Sequence, residues 1–214
     1  MIESRPYNAD NTMKIRWIPT YNSPVILTFA ILAFAIHGLD VLSGGRLAPA
    51  YFAAWPHFDF RSGLSWFRLV SHVFGHRDLV HLVSNFSMIL LIGPILEEKY
   101  GSRAILLMIF ITALSTGILN TLFFNTGLMG ASGVVFMMIL LGSFANHTPG
   151  QIPITFLLVL VLYLTSEAAA VFHQDGISHF AHLFGGLIGT VIGFWMGGKG
   201  GKKIKAKNVS KVKA

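Results

Sequence analysis

Six apolar stretches divide most of the chain, and they constrain its fold more than any other feature. They run from about Ser23 to Ser43, Leu79 to Leu96, Arg103 to Phe124, Ser132 to Ala145, Pro153 to Phe172 and Ser178 to Met196. Most approach the roughly 20 residues that a helix needs to cross a hydrocarbon core. Pro24 suits the first turn of the first helix, where a missing N–H costs nothing. The fourth stretch is short and reads as a helix that starts below the membrane surface, with protein or water around its end. No long polar insert separates the stretches. The expected fold is therefore all-α: a polytopic bundle of six transmembrane helices over residues 23–197, after a cytoplasmic segment 1–22 and before a basic cytoplasmic tail 198–214.

Composition points to the bilayer as the solvent. Apolar residues make up 53% of the chain and charged residues only 12%, against about 25% charged in soluble domains. A soluble fold of this size would expose large apolar patches. The chain has no cysteine, which removes disulfides, thiolate catalysis and cysteine-based metal sites. Residues 1–19 are polar and charged, with no apolar run leading to a small-residue cleavage site, so no cleaved signal peptide is expected and the first stretch reads as a retained span.

Charge sets the orientation. The net charge is +7, and seven of the sixteen Lys and Arg residues lie in the tail after Gly198. Such a tail next to a membrane span suits anionic lipid rather than nucleic acid. With the N-terminus inside, the inner segments hold Arg5, Lys14, Arg16, Lys99, Arg103 and the seven tail lysines, and the outer ones hold only Arg46, Arg61, Arg68 and Arg77. Twelve against four places both termini in the cytoplasm and turns the starts of spans two, four and six outward. The long connection from Gly44 to Asp78 mixes aromatic residues with arginines and reads as a structured loop, half submerged at the interface.

Polar groups inside spans are costly and mark functional candidates. Three clusters stand out, each with an ordinary alternative. Gly130-Ala131-Ser132-Gly133 opens the fourth stretch. A serine beside the free N–H groups of a helix start is placed to attack a carbonyl and stabilise the resulting oxyanion, although small residues also serve helix packing and Ser is a common cap. His182 lies three residues before Gly185 in a Gly185, Gly189, Gly193 row on one face of the sixth stretch. A grooved face of this kind allows close approach, bringing His182 to Ser132 as a general base; the alternative is a simple interhelical hydrogen bond. His81 and Asn85 share one face of the second stretch. Asn85 brings an amide donor into the membrane, for an oxyanion or for a neighbouring helix. All three clusters fall at outward helix starts, and together they supply nucleophile, base and oxyanion donors.

At these residues the chain resembles the rhomboid intramembrane proteases over about Ser65 to Phe194. The resemblance rests on the histidine-rich approach to His81 and Asn85, the GxSG motif at Ser132, and an AHxxG-type motif at His182 with its glycine face. It implies a Ser132–His182 dyad, with Asn85, His81 and Gly130 around the oxyanion. It also implies a six-helix bundle with a water-filled cavity opening outward, in the cell membrane. Transmembrane protein substrates and membrane lipids are the implied partners, cut near the outer end of a substrate span. No cofactor and no metal is implied. Phe67-Arg68 looks like the family's Trp-Arg pair, and Phe136 takes a place where the family often has Tyr packing on the base. A dyad needs no third acid, and Asp40, Asp175 and Glu167 offer none at matching depth. Glu97 and Glu98 are expected to pair with Lys99 or Arg103.

Three other classes stand as alternatives. A histidine-ligated membrane metal enzyme would use the spacing of His72 with His76 and of His179 with His182, but the repeated HxxHH-type boxes of membrane di-iron enzymes are missing. A catalytically inactive relative acting as a binding protein normally lacks the serine or the histidine, and both are present here. A transporter finds no support in an inverted repeat.

Overall fold

The structure, a computed structural model, describes residues 20–56, 58–143, 151–170 and 179–197; at 166–170, 179–181, 193–194 and 196–197 it describes the backbone alone. Eight helices carry these residues: α1 (Pro24–Leu42), α2 (Leu47–Tyr51), α3 (Gly63–Ser71), α4 (Leu79–Tyr100), α5 (Ser102–Phe123), α6 (Ser132–Ser143), α7 (Ile154–Ala170) and α8 (His179–Gly197). Among the described residues the only β pairing is an isolated antiparallel bridge between Ala54 and Leu128. Each apolar stretch holds one helix. Three of them, α1, α4 and α5, are long and apolar enough to cross a membrane, and shorter apolar stretches lie at 132–143, 154–165 and 182–192. The N-terminal segment to residue 19 and the basic tail lie outside the described residues.

The centre of the bundle is α6, where Gly133, Val134, Val135, Met137, Met138, Leu140 and Leu141 are buried. Leu82, Phe86 and Ile89 of α4 and Ile105, Met108 and Ala113 of α5 share its core, and Ile26, Phe29 and Ala33 of α1 join that core by packing on α4 and α5. Phe29 meets Phe74 and Phe86 edge to face, with ring centres 5.0 and 5.1 Å apart, a favoured geometry for aromatic pairs. The outer faces are also apolar: Leu42 is 84% exposed, Val80 79% and Leu162 70%. A bundle with a packed core and an apolar exterior is built for lipid rather than water.

The connection between α1 and α4 is more ordered than a loop. Two helices, α2 and α3, form inside it, and both are too short for their periodicity to show in the sequence. Asp40, buried at the end of α1, accepts the Ala48 N–H at 2.7 Å. Ser71 donates to the Tyr51 carbonyl at 2.9 Å. Arg68 donates to the Ala50 carbonyl through Nε at 2.9 Å and also through Nη2. The Phe67-Arg68 pair thus ties α3 back to α2, and Phe67 meets Phe52 edge to face at 5.9 Å.

Glu97 corrects an expectation. It does not pair with a cation; its two carboxylate oxygens accept the Val25 and Ile26 N–H groups, each at 3.0 Å. A helix start leaves its first N–H groups without intrahelical partners. In α1, Pro24 has none to satisfy, Glu97 takes the next two, and Leu27 N–H reaches the Ser23 carbonyl at 2.9 Å. The carboxylate is buried because it serves the positive end of another helix, a favourable place for negative charge.

Candidate active site

The segment that delivers Ser132 is held by backbone bonds on several sides. Ala54 and Leu128 exchange two hydrogen bonds of 2.9 Å. Asn120 at the end of α5 donates to the carbonyls of Ala54 (3.2 Å) and Thr126 (2.8 Å). Gly130 has φ +126° and donates its N–H to the His72 carbonyl at 2.9 Å. Only glycine adopts that backbone readily. It also has no room for a side chain, because a Cβ would lie 2.8 Å from His81 Nε2 and 2.6 Å from His81 Cε1. The N–H of Gly130 is therefore committed to the backbone, and the residue contributes space rather than a donor. Ser132 follows as the first residue of α6 and is half-buried.

The glycine face of α8 is pressed onto the backbone of α6. A Cβ on Gly185 would collide with the Gly133 carbonyl, and one on Gly189 with the Met137 carbonyl. Gly193, third in that row, has its surroundings outside the described residues. Gly185 against Gly133 sets the level of the two helix heads. Ser132 immediately precedes Gly133, and His182 is one turn before Gly185 on the same face. His182 is buried, with the ring of Phe136, one turn into α6, 4.5 Å away between centres and tilted 37°. Phe136 in turn packs on Tyr163 of α7 at 4.4 Å. This aromatic sandwich is where the resemblance anticipated an aromatic on the base.

His81 and Asn85 come from the first two turns of α4, which is capped by Asp78 accepting the His81 N–H at 2.8 Å. His81 is half-buried and Asn85 is buried. The position a Gly130 Cβ would occupy lies 3.6 Å from Asn85 Nδ2 as well as 2.8 Å from His81 Nε2. Two side-chain nitrogens thus converge on the backbone just ahead of the serine.

Sequence reasoning missed the importance of His76. Its Nε2 accepts from Asn85 Nδ2 at 3.1 Å and is approached by the Ala131 N–H at 3.4 Å. Its Nδ1 faces the Phe74 carbonyl at 3.3 Å. No periodicity links His76 to Asn85, because it lies in the turn before α4. The same turn corrects the proposed metal spacing of His72 with His76. Helix α3 ends at Ser71, and His72 goes elsewhere, its Nε2 3.0 Å from the Ala113 carbonyl on α5. Burial lowers His72 from 6.5 to about 4. Burial, with the nearby His81 in addition, lowers His76 to about 3. Both are neutral rings at physiological pH.

An all-helical bundle with an apolar exterior and a cluster of polar side chains gathered within it is an integral membrane protein with an internal site. The family model for the rhomboid domain matches residues 63–199, and the chain belongs to the rhomboid family. It is 29% identical over 178 residues to proteins described as rhomboid protease GlpG from Yersinia pestis (strain Pestoides F) and Yersinia pseudotuberculosis serotype O:3 (strain YPIII). It has the same identity to that of Yersinia enterocolitica serotype O:8 / biotype 1B (strain NCTC 13174 / 8081). Each match covers 80% of this chain and 62% of the relative, so the chain spans under two thirds of those proteins.

Proposed function

We propose that the chain is an intramembrane serine endopeptidase that hydrolyses peptide bonds in or near transmembrane segments of other membrane proteins. Ser132 is the nucleophile and His182 the general base. The hydroxyl attacks the substrate carbonyl while His182 takes its proton, then returns it to the leaving amine. The carbonyl oxygen becomes an oxyanion, and His81 and Asn85 donate to it, with Gly130 leaving them room. Water then hydrolyses the acyl-enzyme with His182 again as base. The observation that supports this reading is the seating of Gly185 on the Gly133 backbone: Ser132 is the residue before Gly133, and His182 lies one helical turn before Gly185. Kinship with rhomboid proteases supports the same chemistry and the same class of substrate.

In this reading all six apolar helices cross the cell membrane, both termini are cytoplasmic, and the site opens outward. Lipids surround the bundle. The test is cleavage of a labelled model transmembrane substrate by the purified protein in detergent. Ser132→Ala is expected to abolish cleavage and labelling by a fluorophosphonate probe while leaving the thermal melt unchanged. A Ser132→Ala protein that still cuts at near wild-type rate removes the serine from the mechanism.

A further inference from the structure

Asn85 can help an oxyanion only if its amide nitrogen, not its oxygen, faces the serine. Asparagine is nearly symmetric in shape, so something must choose between the two orientations. His76 Nε2 lies 3.1 Å from Asn85 Nδ2 and 3.4 Å from the backbone nitrogen of Ala131. The Ala131 nitrogen is a donor whatever the state of the ring. Its partner on His76 must then be a bare lone pair, which places the ring proton on Nδ1, 3.3 Å from the Phe74 carbonyl. One tautomer satisfies all three contacts. With that tautomer, Nε2 attracts the NH2 of Asn85 and rejects its carbonyl. One amide proton is then spent on His76, and the other is left on the nitrogen that lies beside Gly130 and His81. His76 and Asn85 are both buried, so water does not compete for the choice.

We propose that His76 is a positioning residue: through the acceptor at Nε2, whose bare lone pair the Ala131 N–H identifies, it fixes the orientation of the Asn85 amide. It touches no substrate. The inference rests on the role given to Asn85 above and adds a residue to it.

The test compares His76→Phe, His76→Gln, Asn85→Ala and the double variant His76→Phe/Asn85→Ala in the transmembrane-substrate assay, with a thermal melt of each. Phe keeps the ring volume but offers no lone pair, whereas the Gln side-chain oxygen reaches about where Nε2 lies. Removing one oxyanion donor costs on the order of 100-fold or more in kcat, and Asn85→Ala is expected to show that. His76→Phe is expected to lower kcat by a comparable factor with KM nearly unchanged, and His76→Gln to recover most of it. On the Asn85→Ala background, His76→Phe is expected to add less than about threefold, since coupled residues are not additive. A full additional loss in the double variant, or a His76→Gln protein as slow as Asn85→Ala, overturns the positioning role. Should His76→Phe fail to fold, the kcat of His76→Gln against that of Asn85→Ala decides the matter alone. Full activity in Asn85→Ala would instead remove Asn85 from the mechanism and the role of His76 with it, an outcome distinct from additivity.

Discussion

Single atoms at the contact of α6 and α8 separate two substitutions that look alike in the sequence. At Gly189 any Cβ meets the Met137 carbonyl, which belongs to a helix backbone and has nowhere to go. Gly189→Val must push the helices apart, with an overpacking cost of about 1–3 kcal/mol. A displacement of about 1 Å at the proposed dyad costs on the order of 100-fold in rate. Both the melting temperature and the cleavage rate are therefore expected to fall, although the residue touches no substrate. At Gly186 the Cβ would meet only Leu140 Cδ1 at 2.9 Å and Tyr163 Cε1 at 3.1 Å. Those are side-chain ends that can turn aside, so Gly186→Ala is expected to be milder in both measurements. The buried histidines give a further expectation, in pH. His72 and His76 have folded values of about 4 and about 3, below their usual 6.5. Between these limits the unfolded chain takes up protons that the folded one refuses. Stability is thus fully present above about pH 6.5 and declines as pH falls towards 4, each ring contributing up to about 1.4 kcal/mol per pH unit. Thermal melts from pH 7.5 to 4.5 check this, and His76→Gln is expected to flatten the slope.

Between elements, the contacts that hold the bundle in register are polar groups serving another element's backbone. Glu97 on α4 caps α1, Asn120 on α5 holds the serine segment, and Arg68 on α3 holds α2. Glu97→Ala leaves two N–H groups of α1 without acceptors, at about 1–3 kcal/mol each. The expected result is a clearly lower melting temperature, with α1 loosened before the rest. Amide hydrogen exchange is expected to show lost protection at Val25 and Ile26, with protection in α6 retained. Protection unchanged at those two amides would mean that the carboxylate is not their partner in the membrane-protein fold. None of these pairings shows in a sequence pattern, since each joins residues 6 to 72 positions apart.

For the whole molecule, the orientation proposed from the distribution of Lys and Arg is open to a labelling experiment. With both termini cytoplasmic, a cysteine introduced at Ser210 is expected to resist an impermeant thiol reagent in intact cells, and one at Ser62 to react. The natural absence of cysteine leaves no background. The reverse pattern would invert the bundle and turn the site inward.

Length and apolarity alone located six helices, because a bilayer leaves a backbone little choice but to satisfy its polar groups within each segment. Motif spacing along a helix was legible too: His81 with Asn85 and His182 with the glycine row each follow from the helical repeat. The tertiary structure decided what no local repeat encodes. Helices α2 and α3 form because the loop's carbonyls and N–H groups find partners such as Arg68 and Asp40 across the fold. Glu97 turned from a surface ion pair into the cap of a distant helix. Gly130, placed near the oxyanion by resemblance alone, proved to be held by the His72 carbonyl with the His81 and Asn85 nitrogens where a side chain would be. His76, a loop histidine without a period, became the partner of Asn85, because a buried amide must be paired and only the folded chain determines which lone pair is within reach.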